Sequence, residues 1–134
     1  SDEEKTKLAI AACFHDIGLW SDHTVDYLAP SVAQAENYLA ETGREAWSEE
    51  IGLMIEWHHK VRSVRARQFP LVEVFRKGDL VDFSLGFFKC GLPKCLVNLV
   101  KAAIPNAGFH RFLLKGAKDW FVKHPFSPPP FMKW

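Results

Sequence analysis

Ile51, Met54, Ile55 and His58 recur at i, i+3, i+4 and i+7, the spacing that places four side chains on one face of an α-helix. Val32, Ala35, Glu36 and Leu39 repeat the period, and no β-type alternation lasts more than a few residues. Such a chain folds by stacking helix faces, so the expected class is all-α, built of several short helices rather than a heptad bundle. Glycines, prolines and capping residues then place the helices. They are expected over 2–14 with Gly18 as a stop, and from Pro30 in a first turn to about Thr42 with Gly43 beyond. Another starts at Ser48-Glu49-Glu50. Further helices are expected from Pro70 through about Phe88, over 93–103, and over about 107–123. Residues 19–29 and the basic stretch 60–68 read as loops.

The 134 residues suit one domain. We expect a helical domain over 1–123 and an extended Pro-rich tail over 124–134, clasped to it by Phe126, Phe131 and Trp134. Phe109, Phe112, Trp120 and Phe121 read as core at helical spacing. Hydrophobic residues make up 48% and charged residues 25%, a globular balance. The net charge of +1 gives no global field toward a nucleic-acid duplex or an anionic membrane, so any phosphate preference rests on local groups. No stretch approaches the ~18 apolar residues of a membrane span. Cys13 lies in an apolar helical run and reads as a small core hydrophobe. Cys90 and Cys95 have no second pair to make a zinc knuckle, and the odd total of three fits a reducing cytoplasm. The opening Ser-Asp-Glu-Glu-Lys carries no signal-peptide pattern. Without an initiator Met, it reads as the start of a fragment.

Three segments carry chemistry. His15–Asp16 follows the first helix among Phe14, Ile17, Leu19 and Trp20. A carboxylate at that helix end faces the negative pole of the dipole, and in apolar surroundings it needs a cation. A divalent ion takes N and O ligands such as these, although a helix-end His beside a solvent-facing Asp would leave the same dipeptide. Asp79 and Asp82, three apart, share a face of a helix that reads as apolar nearly all round and hence buried. They need a cation too, or basic partners such as Arg76 and Lys77. Gly78 would let a backbone or ligand come close beside Asp79. In Trp57-His58-His59-Lys60, the apolar stripe selects His58 for the core-facing direction and leaves His59 on the flank.

A His-Asp pair, a His-His pair and then a buried Asp, on separate helices, resemble the HD superfamily of metal-dependent phosphohydrolases. The wording of 11–18, 54–60 and 76–82 is similar to HD-domain segments, and 26–31, 106–111 and the Pro-rich end are similar to one bacterial branch. The resemblance implies that His15, Asp16 and Asp79 ligate one divalent metal ion (Mn, Mg, Ni, Co, Fe or Zn). It implies that Asp82 orients water and that His58 and His59 neutralise charge in catalysis. The implied substrate is a small phosphorylated compound; apart from the resemblance, the basic residues near the pair (Lys60, Arg62 and Lys77) are expected to hold its phosphate through charge-assisted bonds, unless they form only a solvated cationic surface. Two departures accompany it. No histidine precedes His15, so the ligand set is one imidazole short; a separate N-terminal segment or a homodimer partner would supply it. Ser31 stands about where two-metal members carry a histidine, which favours one ion, with His23 as a lesser candidate. The rival expectations are a non-catalytic ligand-binding module and a di-iron oxygenase.

Overall fold

Ser1 opens the chain as a helix cap. In the computed structural model, which describes residues 1–23, 26–105 and 107–128, its hydroxyl accepts from the Glu4 amide at 3.2 Å while Glu4 reaches back to the Ser1 nitrogen. This capping box and the acids Asp2, Glu3 and Glu4 suit the positive end of α1, Asp2–Phe14. A short helix α2 (Gly18–Ser21) follows, then α3 (Leu28–Glu41), a 3₁₀ turn (Glu45–Trp47) and α4 (Ser48–Trp57). The chain continues through α5 (Pro70–Phe83), α6 (Lys94–Ala103) and α7 (Phe109–Lys123). The protein is all-α: among the described residues there is no strand.

Helix α4 is the centre, packed on α1, α3 and α5. Its stripe Ile51, Met54 and Ile55 is fully buried, joined by Ile10 and Ala11 of α1, Ala35 and Leu39 of α3, and Val72 of α5. Each large side chain of this kind contributes about 1.5–3 kcal/mol by leaving water. Lys7 pins α1 to α4, bonded to Glu3 at 2.7 Å and to the buried Glu50 at 3.0 Å.

Several boundaries depart from expectation. Gly18 does not stop a helix; it begins α2, because its amide is held by the Ser31 hydroxyl at 3.0 Å and it lies tight against the Tyr27 backbone. Helix α3 begins two residues before Pro30, which is still within the first turn, where its missing N–H costs nothing. Helix α5 ends at Phe83, not near Phe88. There Leu85 turns left-handed at φ 53°, and Leu85 and Gly86 bond back to Asp82 and Val81 in a Schellman closure. Nor is α5 buried all round: Val72 and Arg76 are its buried residues, while Val74 and Phe83 are about half-exposed. Helix α4, and more lightly α1, pack against it most closely.

Helices α6 and α7 pack sparsely on the rest. Helix α7 buries no residue, so Phe112 and Phe121 are surface rather than core, although Phe112 stacks on Trp20 with ring centroids 4.9 Å apart. Cys13 is exposed, not a core residue. In the tail, the Trp120 indole donates to the Ser127 carbonyl at 3.0 Å, but Phe126 is 99% exposed and clasps nothing. Phe131 and Trp134 lie outside the described residues. No helix among the described residues is long and apolar enough to cross a membrane.

Candidate metal centre

Two helices end on histidines, and both histidines are turned the same way. His15 caps α1 and His58 caps α4. The last carbonyls of a helix lack backbone partners, and each ring uses one. His15 Nδ1 bonds the Ala12 carbonyl at 2.9 Å, and His58 Nδ1 bonds that of Ile55 at 2.6 Å. A carbonyl only accepts, so Nδ1 donates and carries the proton of the neutral ring. Nε2 is thereby left as a bare lone pair directed inward, the arrangement that metal-binding imidazoles adopt.

Those lone pairs meet carboxylates. His15 Nε2 is 3.2 Å from Asp16 Oδ2 and 3.9 Å from Asp79 Oδ1, and His58 Nε2 is 3.5 Å from Asp16 Oδ1. His59 Nδ1 faces Asp79 Oδ2 at 3.8 Å. Asp16 Oδ1 and His58 Nε2 are both buried and without a hydrogen-bond partner. Two acceptors facing each other out of water is an arrangement that a cation between them would relieve. Two triads have ligand atoms within 4.8 Å of one another: His15, Asp16 and His58, and His58, His59 and Asp79. Imidazole nitrogens with carboxylate oxygens suit a borderline divalent ion. The residues therefore fit a metal.

The local field agrees. Burial pushes Asp16 up, but the adjoining His15 and His58 rings, which favour the carboxylate whenever they are charged, carry it far below the usual carboxylate range. Burial lowers His15, yet the adjoining Asp16 carboxylate, then the charge of Asp79, bring it above its ordinary value. Positive charge is favoured where these three groups meet. Asp79 is pushed up to about 6, chiefly by burial, with His58 and His15 opposing and Asp16 and Asp82 adding to the rise. His59 is driven down to about 3 by burial and by the neighbouring His58, which keeps it neutral.

A supporting layer holds the centre. Tyr27 is buried, and its hydroxyl is 2.6 Å from His59 Nε2. Burial and the Asp16 charge raise its pKa further, so it stays a neutral phenol. Ser31 is buried against Gly18 and braces the turn that carries Asp16. Arg76, also buried, bonds Glu73 through Nε and Nη2 (2.7 and 2.8 Å) and donates from Nη1 to the Lys60 carbonyl at 2.9 Å. Glu73 accepts from the Val64 amide at 3.0 Å. This clamp ties α5 to the loop directly after the histidine pair. Its sequence signal was the i, i+3 pair Glu73–Arg76, which the reading of Arg76 as a partner for Asp79 or Asp82 passed over.

The structure brings five predicted residues together: His15, Asp16, His58, His59 and Asp79. Asp82 is exposed one turn along α5 and borders, with His15, Gly78 and Asp79, an open hollow of about 400 Å³. Of the three predicted phosphate cations, two have other partners. Lys60 sits over the Trp57 ring at 4.5 Å, Lys77 reaches Glu73 at 3.8 Å, and Arg62 is exposed. His23 is exposed and left-handed at φ 51°. His110 donates to the carbonyls of Asp82 and Phe83, closing the end of α5. No protein-family model, curated protein or solved structure matches the chain.

Proposed function

We propose that the chain is a metal-dependent phosphohydrolase that cleaves a phosphate ester with water. The observation that carries this reading is the facing pair Asp16 Oδ1 and His58 Nε2, buried, unpartnered and 3.5 Å apart within a ring of further ligand groups. Whatever a missing upstream histidine would have supplied, His58 offers an imidazole here, so it passes from a charge-neutralising role to a ligand. His15, Asp16 and His58 would hold the ion with Asp79 closing the set. When bound, a divalent ion lowers the pKa of a coordinated water and polarises a phosphoryl oxygen. Asp82, on the rim of the open hollow, orients the attacking water. His59, kept neutral and braced by Tyr27, donates to a phosphoryl oxygen. The water oxygen bonds to phosphorus, the ester P–O bond breaks, and the water proton passes to the leaving oxygen, giving an alcohol and phosphate.

One ion is expected per chain. His58 Nδ1 is spent on Ile55, so its single lone pair cannot serve both triads at once. The proposed compartment is the cytoplasm, which the three free, exposed thiols support. The test is metal analysis combined with a phosphatase screen against Mn, Mg, Ni, Co, Fe and Zn. The expected result is about one ion per chain and metal-dependent phosphate release, with Asp16→Ala losing both by at least ~100-fold, in the range seen when groups that stabilise transition-state charge are removed. Equal turnover by Asp16→Ala refutes the assignment. Two irons per chain with oxygen consumption would favour the oxygenase instead.

A further inference from the structure

Helix α6 is amphipathic, yet of its apolar stripe only Val97 is buried; Leu96, Val100 and Ile104 are 43%, 47% and 73% exposed. With Val81 from α5, Leu85 from the turn that closes it and Leu92 from the turn before α6, this stripe lines a groove of about 290 Å³. Such a volume, mostly apolar with few polar groups, is near the lower end for small-molecule sites.

Its position gives it meaning. Gly78 and Asp82 line this groove, and they also line the hollow that holds His15 and Asp79. On α5, Gly78 and Asp82 lie four apart on one face, so groove and hollow meet along that helix. The junction is open at Gly78: a Cβ built there would meet nothing within 4 Å. The outer end of the groove is shaped by the α5 closure. Gly86, at φ 80°, lies against Val97, and Lys101 donates to the Leu85 carbonyl at 2.9 Å. The apolar groove thus opens at Gly78 and Asp82 onto the hollow lined by His15 and Asp79.

We propose that the α5–α6 groove is the apolar subsite of the same centre, and that the substrate is an amphiphilic phosphate monoester. Its phosphate lies at the His15–Asp79 hollow and its hydrocarbon chain runs past Gly78 and Asp82 into the groove. This rests on the phosphohydrolase reading for the head group. It adds the tail, a source of affinity that does not depend on the cations Lys60, Arg62 and Lys77.

The experiment is calorimetric titration of the metal-loaded protein with n-alkylphosphonates from ethyl to decyl, whose C–P bond resists hydrolysis. Each buried methylene is expected to lower Kd about threefold to fourfold. Leu96→Asp should flatten the series, while Leu114→Asp, on an exposed site of α7 outside the groove, should keep it. Thermal melts of both variants confirm that they fold. Affinity that is flat from butyl to decyl in the wild type, with metal bound and methyl phosphate hydrolysed, overturns this inference and leaves the phosphohydrolase reading intact. Absence of metal binding and of turnover overturns that reading, and the phosphate head with it, whatever the series shows. Decanol binding as tightly as decylphosphonate also overturns the proposal, as does a dimer that Leu96→Asp dissociates, because a second copy would then occupy the groove.

Discussion

Asp79 places an acid within a centre that lacks room for unpaired charge. Its carboxyl is raised from 3.8 to about 6, mainly by burial. The stabilisation that goes with protonation is complete below pH 3.8 and is lost as the pH rises through 6. The metal-free protein is therefore penalised by Asp79 at pH 8. Asp79→Asn should raise its thermal stability there, by on the order of 1–3 kcal/mol, and the gain should fade between pH 6 and 4. A melt that is unchanged at pH 8 refutes this. Metal loading should reverse the sign, because the ion then needs the carboxylate. Gly18 is a second residue-scale case. A methyl there would lie 2.5 Å from the Tyr27 carbonyl oxygen and 3.1 Å from the Ser31 hydroxyl. Gly18→Ala should cost about 1–3 kcal/mol by denaturant titration, as overpacking does, and displace the turn that carries Asp16. The need for glycine at this position was invisible in the sequence, where Gly18 read as a helix stop, because the atoms it must admit come from 9 and 13 residues further on.

At the scale of elements, the centre depends on how α5 is tied to the end of α4. Arg76 makes three donor contacts, two to Glu73 and one to the Lys60 carbonyl, and Glu73 holds the Val64 amide. Glu73 is lowered to about 2, first by the Arg76 bond. Arg76→Met should destabilise the protein by about 2–3 kcal/mol, since Arg76 is buried and a carboxylate and a carbonyl lose their donors. It should also weaken metal affinity, because the His58–His59 segment loses its anchor. Chemical denaturation and a metal titration check the two effects separately. The helices themselves were legible from periodicity and caps: α1, α4 and α6 fall within a residue or so of where the sequence placed them. The end of α5 was not, because an apolar run continues past it and the left-handed turn at Leu85 is decided by packing against α6.

For the whole molecule, the chain divides in density. α1, α3, α4 and α5 share one buried core, whereas α6 and α7 leave Leu99, Leu114 and Val122 more than two-thirds exposed. Amide exchange should follow: backbone protons over α3 and α4 should be the slowest, and those of α6 and α7 should open by local fluctuation well before global unfolding. Equal protection across all helices would contradict this. Phe112 and Phe121 looked like core because their spacing is helical, but an amphipathic period says only that a face is apolar and not that anything covers it.

From its sequence alone the chain was bound to be helical, for its apolar residues fit a 3.6-residue period and its acids, prolines and glycines sit at helix ends. The sequence also pointed to the residues of the centre, though only as an ordered set: His-Asp, His-His and the Asp79–Asp82 pair each had a structural reading alone, and together they resemble the HD superfamily. Only the tertiary structure decided that His15, Asp16, His58, His59 and Asp79 meet, that His58 points its bare nitrogen at Asp16, and that Lys60 and Lys77 are engaged by Trp57 and Glu73. The physical reason is range. Helix formation is settled between residues a few positions apart, whereas the facing of a carboxylate and an imidazole 42 residues apart is settled by how α1 and α5 pack against α4.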